Sequence, residues 1–221
     1  MHSGRLYVEF IAPNQCKFFK CSPHLNGYKF SSFTDWHYFE LMYVKRFMEG
    51  NIIKLKWWQI ALITLAVSYA GRLTAGKSNT ANQKVYTTKL KQAPWAPPAW
   101  VFGPAWVINN FFNLLALQRI WNMKDSPEKT KLLRMQAGIW LIFLSFNYIY
   151  FNKKSTLLAA AWTNADAMLA ISSFITALKT DKLLAGFYLP LMTWTSFAST
   201  VADYQAIYNK DHFLKSKAIM N

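Results

Sequence analysis

The segment from Pro94 to Trp106 holds the densest set of side chains that could recognise a ligand. Its 13 residues contain four prolines, three tryptophans and one glycine, and it runs directly into an apolar stretch that begins at Val107. Proline is tolerated in the first turn of a helix, where its missing N–H would be unpaired anyway, so Pro97 and Pro98 predict a rigid helix start. The sequence therefore predicts that aromatic rings are held at the mouth of a helix.

Other indole rings lie within apolar runs, where each one needs volume and a partner for its N–H group. The indoles within the runs belong to Trp106, Trp140, Trp162 and Trp194. Two interpretations stay open, because these rings either pack a core or stack on a flat aromatic ligand. Trp57, Trp58 and Trp121 lie at the ends of apolar runs instead, and we expect them to face the membrane–water interface.

Asp166 is a single charged residue near the middle of the fourth apolar run. A carboxylate in a bilayer costs about 2.5–3.5 kcal/mol on insertion scales, so we expect Asp166 to face the interior of a helix bundle and to find a partner there. It either contacts a ligand or a proton, or it is hydrogen-bonded to a neighbouring helix. Five asparagines in the runs either join helices or line a cavity, and we expect joining for most of them. They are Asn109, Asn110, Asn113, Asn147 and Asn164.

Signatures of enzymes and metal sites are missing from the sequence. It contains no glycine-rich phosphate loop, no H-E-x-x-H motif and no G-x-S-x-G motif. The four histidines lie outside the apolar runs, which argues against an intramembrane haem ligated by histidine. Cys16 and Cys21 are interpreted as unrelated thiols, because their spacing comes without further cysteines or a clear histidine partner. We therefore predict no metal and no required cofactor.

The composition is typical of a membrane protein. Hydrophobic residues make up 53% and aromatic residues 17% of the 221 residues, against only 10 acidic residues. The net charge of +15 comes from short basic clusters between the apolar runs and not from one continuous face. We interpret these clusters as loops that meet anionic lipid headgroups, and we predict no nucleic-acid partner.

The apolar runs predict an all-α membrane protein, a bundle of five transmembrane helices. The predicted spans cover residues 57–73, 98–121, 133–151, 155–178 and 183–207. Residues 123–131 are interpreted as a polar turn, and the connection 74–92 is long enough to suggest a functional loop or lid. Small residues in the fourth span are expected to permit close helix packing. They are Ala159, Ala160, Ala161, Ala165, Ala167 and Ala170.

Two tails flank the predicted membrane domain of residues 52–210. In residues 1–51 aromatic side chains are scattered among polar ones without helical or alternating periodicity, and no signal peptide is recognised. We expect this tail to contribute little to the fold, and Met48 is a candidate natural start. Residues 211–221 form a short basic tail.

Motifs in three of the spans resemble the TspO/MBR family, the tryptophan-rich sensory proteins related to the translocator protein or peripheral-type benzodiazepine receptor. Residues 95–106 match the family's W-x-P-P-x-W-x-F-x-P-x-W pattern throughout. Residues 161–166 are similar to its W-x-x-x-D pattern, and residues 189–201 are similar to its P-Y-L-x-W-x-x-F-A pattern. The resemblance extends from about Trp57 to Lys210 and leaves the N-terminal tail unexplained.

The resemblance implies a multi-pass membrane protein that binds porphyrin or haem-type tetrapyrroles, and in some members sterol-like or benzodiazepine-type molecules. In that family the ligand lies inside the five-helix bundle, beneath the first loop. Carried over to this chain, the ligand-binding residues are Tyr86, Trp95, Phe102, Gly103, Trp106, Asn147, Trp162, Asp166, Trp194, Ala198 and Val201. The implied structural residues are Pro97, Pro98, Trp100 and Pro104. A homodimer is also expected by analogy.

Three functions stay open for a protein with this resemblance. The first is a tetrapyrrole-binding sensor or regulator without efficient turnover, the second is an enzyme that degrades porphyrin in light, and the third is a tetrapyrrole transporter. The family's loop has a tryptophan before the tyrosine that corresponds to Tyr86, whereas this chain has Val85. Because the implied photochemistry uses loop tryptophans, this departure favours binding over degradation.

Overall fold

The computed structural model describes residues 54–74 and 88–220, which belong to one compact unit, Ile52–Asn221. In this part of the chain there are five α-helices, and a π-helical turn, Tyr148–Asn152, extends the third. The helices are α1 (Trp57–Leu73), α2 (Ala99–Trp121), α3 (Pro127–Asn147), α4 (Thr156–Thr180) and α5 (Lys182–Tyr208). The predictions for residues 1–51, including Met48 and the two cysteines, lie outside the described residues.

The five-helix, all-helical architecture agrees with the prediction, and four helices begin and end within two residues of their predicted bounds. Helix α3 is the exception, because it begins at Pro127 and not at residue 133. The Ser126 hydroxyl accepts a hydrogen bond from the Lys129 N–H, proline occupies the first turn, and Glu128 lies at the positive end of the helix dipole. The predicted polar turn was therefore wrong for residues 127–131, where capping starts a helix before the apolar run begins.

Three of the described helices are long and apolar enough to cross a membrane. They are Ala99–Trp121, Pro127–Asn152 and Thr156–Thr180. Helix α1 has 17 residues, which is the lower end of the roughly 17–25 that a span needs. Helix α5 has 27 residues but includes Pro190 and Asp203, which lower its apolar character. A membrane-spanning role for α1 and α5 stays a prediction.

Helix α4 packs most extensively against α5. Four of its predicted small residues are buried and allow the two backbones to approach closely. They are Ala159, Ala160, Ala167 and Ala170. Ala161 and Ala165 are exposed, so the prediction was wrong for these two, which the helical rotation of about 100° per residue turns away from the contact.

A buried polar network joins α2, α3 and α5. Gln136 of α3 donates from Nε2 to both the backbone oxygen and the Oδ1 atom of Asn113, each at 3.0 Å. The Tyr188 hydroxyl of α5 donates to Gln136 Oε1 at 2.8 Å. All three residues are at most 2% exposed. Both polar atoms of the Gln136 side chain have protein partners, so the network fastens three helices together.

The segment before α2 is tied to the end of α5. The Lys91 N–H donates to Asn209 Oδ1 at 2.7 Å, and Asn209 Nδ2 donates back to the Lys91 carbonyl at 3.0 Å. Next to this pair, Gln205 Nε2 donates to Gln92 Oε1 at 2.6 Å and Gln205 Oε1 accepts from the Tyr150 hydroxyl at 3.0 Å. These bonds fix where the chain enters α2 relative to α5.

Two aspartates organise helix ends outside the apolar runs. Asp181 accepts the N–H groups of Leu183 and Leu184 at the start of α5 and pairs with Arg119 of α2. The hydrogen bond from Arg119 holds the pKa of Asp181 below its usual value. Asp211 has a similar role at the start of α4.

Asp211 Oδ2 accepts the Ser155 hydroxyl at 2.6 Å and the Leu157 N–H at 2.9 Å. Its Oδ1 atom accepts the Leu214 N–H at 2.7 Å. Burial alone would raise the pKa of Asp211, but these hydrogen bonds outweigh burial and lower it. The carboxylate therefore joins the segment after α5 to the start of α4.

Candidate functional site

The first half of α2 presents aromatic rings to two neighbouring helices. Phe102 and Trp106 are half-buried and, being four residues apart, share one face of the helix. The Phe102 ring lies edge-on to Trp194 of α5 with 5.4 Å between ring centroids, and the Trp106 ring lies 5.3 Å from that of Phe143 in α3. Gly103 is exposed, and a Cβ added there would meet no atom within 4 Å. The structure thus brings Phe102 and Trp194 into contact.

Hydrogen bonds fix the predicted site residues of α3 and α4. Trp162 donates from Nε1 to the Ser145 hydroxyl at 2.9 Å, and Asn147 donates from Nδ2 to the Gly71 carbonyl at 2.8 Å. Gly71 is also a close-packing position, because a Cβ there would lie 2.8 Å from the Phe143 ring. The indole of Trp162 therefore has a protein partner, and Asn147 joins α3 to α1.

Asp166 is 1% exposed and faces the interior of the bundle, as predicted. Asp166 Oδ1 is buried and makes no hydrogen bond with residues 54–74 or 88–220, so this atom does not show the bond to a neighbouring helix that was one of the two predicted alternatives. One turn earlier on α4, the Thr163 carbonyl accepts the Ser199 hydroxyl of α5 at 3.4 Å, so the two helices are close at this depth. The unpaired oxygen is a hydrogen-bond acceptor that a ligand or a proton could satisfy.

Helix α5 carries three predicted site residues on one face, because Trp194, Ala198 and Val201 follow each other at intervals of four and three. Val201 is buried and Ala198 is half-buried. Besides its contact with α2, the Trp194 ring lies 6.0 Å from that of Phe197. Its Nε1 atom is buried and has no hydrogen-bond partner in the part of the chain that the structure describes.

Trp95 lies against the last third of α5. Its Nε1 atom donates to the Thr200 hydroxyl at 3.1 Å, and its ring is edge-on to Tyr204 with 5.5 Å between centroids. Among the described residues, no ring contact or hydrogen bond joins Trp95 to another predicted site residue. Tyr86, the predicted contact from the first loop, lies outside the described residues.

The predicted structural residues surround the start of α2. Pro98 immediately precedes the first helical residue, and Pro97 is half-buried beside it. Trp100 is 74% exposed, and Pro104 is an exposed proline inside the helix, where it removes one backbone hydrogen bond. Their structural role stays a prediction.

The five helices and their motif residues can be compared with known families. A model of the TspO/MBR family matches residues 60–206, from the first turn of α1 to the last turn of α5. The match covers more than half of the 221 residues. The chain belongs to the TspO/MBR family. The resemblance carried by the Trp/Pro segment is thereby confirmed, whereas no curated protein matches the chain.

Members of the TspO/MBR family are embedded in membranes, and the three long apolar helices agree with this placement. This TspO/MBR protein is therefore a multi-pass integral membrane protein. Exposed indoles lie at its helix ends, as predicted for an interfacial belt. Trp57 is 72% exposed, and Trp58 and Trp121 are each 45% exposed.

Two open grooves lie between helices of this TspO/MBR protein. The α2–α5 groove has a volume of about 360 Å³, and its lining includes Asn109, Trp194 and Phe197. The α1–α2 groove has a volume of about 270 Å³, and its lining includes Thr64 and Phe111. Among the predicted ligand-binding residues that the structure describes, Trp194 lines the α2–α5 groove, and none of the others lines either of these two grooves.

Sequence reasoning missed Asp203, a second carboxylate within the apolar helices. Asn164 of α4 donates from Nδ2 to Asp203 Oδ1 of α5 at 2.6 Å, so this carboxylate has the partner that Asp166 lacks. The signal was present in the sequence, because this aspartate lies inside the predicted span 183–207, two residues after the predicted site residue Val201. No group of three or more histidine, cysteine, aspartate or glutamate residues that could hold a metal ion occurs among the described residues.

Proposed function

We propose that this TspO/MBR protein binds a tetrapyrrole between α2, α3, α4 and α5, and acts as a sensor or regulator without efficient turnover. The ligand would lie among the indoles of Trp106, Trp162 and Trp194. A flat macrocycle suits such a site because aromatic rings interact favourably in offset and edge-on arrangements, beyond the area that they bury.

The observation that carries the proposal is the contact between Phe102 and Trp194. These two predicted site residues belong to α2 and α5, which are far apart in the sequence, and their rings meet edge-on at 5.4 Å. Trp106 extends the aromatic surface to Phe143 of α3. Because Phe102 and Trp106 share one face of α2, rings from three helices lie along this face, and apolar, aromatic walls are typical of small-molecule sites.

Two polar features supply orientation in the proposed site. The unpaired Oδ1 atom of Asp166 is an acceptor for a pyrrole N–H group of the ligand. Trp162 is held by its hydrogen bond to Ser145, so its ring is positioned before any ligand arrives. A site with few, fixed polar groups on an apolar surface recognises a ligand at a low entropic cost.

Quenching of tryptophan fluorescence by protoporphyrin IX tests the proposal, using the full chain in lipid nanodiscs. We expect saturable quenching at micromolar concentration. In Trp106→Phe we expect the affinity to fall about 3- to 10-fold, because part of one aromatic surface is lost. Trp121→Phe is the matched control, since it removes one indole from the exposed end of the same helix and should leave the affinity unchanged.

Absence of quenching in the wild-type protein, or an equal loss of affinity in the two variants, would contradict tetrapyrrole binding at this site. The titration is repeated in light and in darkness, and the absorbance of the porphyrin is followed. If the wild-type protein forms a porphyrin product in light faster than the Trp106→Phe variant does, the protein is a porphyrin-degrading enzyme and not a regulator. Flux of porphyrin into protein-containing vesicles above that into empty ones would favour a transporter.

Sterol-like and benzodiazepine-type molecules are the other ligand classes that the proposal includes. Competition with protoporphyrin in the same titration shows whether they share the site. The homodimer stays a prediction. Measuring the mass of the protein in nanodiscs, or crosslinking the protein in vesicles, would check it.

A further inference from the structure

The α2–α5 groove combines an apolar wall with buried polar groups. Its volume of about 360 Å³ falls within the roughly 300–1,000 Å³ of small-molecule sites. Ile108, Pro190 and Phe197 supply apolar surface, and the groove is open to the outside of the bundle. A molecule dissolved in the bilayer can therefore reach it from the side.

Two hydrogen-bond donors of residues that line this groove have no partner in the described part of the chain. Asn109 is 2% exposed, and its Nδ2 atom makes no hydrogen bond with the described residues. Trp194 Nε1 is likewise buried and unpaired within residues 54–74 and 88–220. The Thr193 hydroxyl, in contrast, already donates to the Leu189 and Pro190 carbonyls. An unpaired hydrogen-bond donor in an apolar environment costs free energy. An acceptor on a bound molecule would remove this cost by accepting hydrogen bonds from the two donors.

The depth of the groove restricts the chemistry of its occupant. Asn109 lies near the middle of the 23-residue helix α2, and Trp194 lies near the middle of the 27-residue helix α5. With α5 spanning the membrane as predicted, both donors are close to the centre of a hydrocarbon layer about 30 Å thick. The ester groups of phospholipids stay at the edges of this layer, and a charged group at its centre is disfavoured. A neutral molecule that dissolves in the bilayer core can bring an acceptor to this depth.

We propose that the α2–α5 groove binds a neutral, largely apolar molecule that carries a carbonyl group. The carbonyl oxygen has two lone pairs, which accept one hydrogen bond from Asn109 Nδ2 and one from Trp194 Nε1, while the apolar body of the molecule lies against Ile108, Pro190 and Phe197. The groove shares Trp194 with the proposed tetrapyrrole site, whereas Asn109 belongs to the groove alone, so variants of Asn109 test this inference separately.

Fluorenone and fluorene form a matched pair of probes, because they share a three-ring skeleton and differ in one carbonyl group. Their retention is measured in nanodiscs that contain the full chain, after subtraction of retention in empty nanodiscs. We expect fluorenone to bind saturably and at least about 10-fold more tightly than fluorene, as two hydrogen bonds in an apolar environment imply. In Asn109→Leu, which keeps the size of the side chain, this preference should fall to about 3-fold or less.

The neighbouring groove provides a control variant. Thr64 lines the α1–α2 groove, and its hydroxyl donates to the Ile60 carbonyl of its own helix, so it offers no free donor. Thr64→Val should leave the preference for fluorenone unchanged. Equal binding of the two probes to the wild-type protein, or an unchanged preference in Asn109→Leu, would overturn the proposal.

Photolabelling of the wild-type protein locates the site without relying on any variant. Benzophenone carries the same carbonyl group and, when irradiated, inserts into neighbouring C–H bonds, which peptide mass spectrometry then maps. We expect labels at Ile108, Pro190 or Phe197, and labels confined to other surfaces would refute the site. Protoporphyrin quenching in Asn109→Leu should match that of the wild-type protein, so the failure of either proposal is seen separately.

Discussion

Asn109 and Asn113 lie one helical turn apart on α2, yet their surroundings are arranged in opposite ways. Asn113 belongs to the closed network with Gln136 and Tyr188, in which its Oδ1 atom and both polar atoms of the Gln136 side chain are hydrogen-bonded. Asn109 lines the open α2–α5 groove beside Trp194, and both side chains hold an unpaired donor. Within a membrane, paired polar groups join helices, whereas unpaired ones mark a surface that is able to recognise a ligand.

The largest expected effect comes from opening the closed network. Gln136→Leu removes three hydrogen bonds, so the buried Tyr188 hydroxyl and Asn113 Oδ1 both lose their bond to Gln136. We expect the free energy of unfolding to fall by about 2–4 kcal/mol. Reversible unfolding in mixed micelles measures this loss. Tyr188→Phe, which removes one bond, should lose about 1 kcal/mol, and a Gln136→Leu protein as stable as the wild type would show that the network does not join the helices.

Acidification should weaken the bundle at its ends while sparing both regions, because neither the network nor the groove contains a carboxylate. Hydrogen bonds lower the folded-state pKa of Asp181 and of Asp211, the latter in spite of its burial. The stability that they contribute is therefore fully present above the pKa of about 3.9 of an unfolded aspartate, and it is lost as the pH falls through the folded-state value.

Asp211→Asn tests this dependence on pH. At pH 7 the variant loses the anionic acceptor of Ser155 and Leu157, so we expect the free energy of unfolding to fall by about 1–2 kcal/mol. The difference from the wild type should begin to shrink below the unfolded-state pKa of about 3.9, and it should disappear once the pH is below the lowered folded-state value, where both proteins carry a neutral group at this position. Melting temperatures between pH 7 and pH 3 provide the measurement, and a difference that stays constant with pH would argue against the ionised carboxylate.

The smallest expected effect is at the open groove. Asn109→Leu removes no hydrogen bond from its Nδ2 atom and replaces an unpaired buried donor with an apolar side chain. We expect the free energy of unfolding to fall by no more than about 0.5 kcal/mol, and a rise of up to about 1 kcal/mol is also consistent with an unpaired donor. A loss as large as that of Gln136→Leu would mean that Asn109 has a protein partner, and the contrast between the two regions would fail.

Much of the fold could be predicted from the sequence because apolar runs and helix signals are local. The five helices follow from apolar stretches bounded by charged residues and proline, and motifs in three of the spans were sufficient to identify the family. The start of α3 was missed because capping by Ser126 and Pro127 acts without apolar residues. Ala161 and Ala165 were misplaced because composition does not determine which face of α4 meets α5.

The candidate site could be predicted only as a set of residue types. The sequence placed Trp194, Asp166 and the asparagines within apolar runs, and that was enough to expect polar groups inside a bundle. Four of the asparagines do join helices or contact a neighbouring one, as expected for most of them. They are Asn110, Asn113, Asn147 and Asn164. No local pattern separates these four from Asn109.

The sequence by itself determined the helices, the membrane environment and the family, because each depends on neighbours along the chain. The tertiary structure decided which polar groups are paired. Gln136 reaches Asn113 across 23 positions, and Tyr188 reaches Gln136 across 52, so these bonds exist only once α2, α3 and α5 pack together. The same packing places Asn109 and Trp194 on one groove, where their donors have no acceptor among the described residues. Hydrogen bonds depend on distances in the folded molecule, which cannot be read from the order of residues.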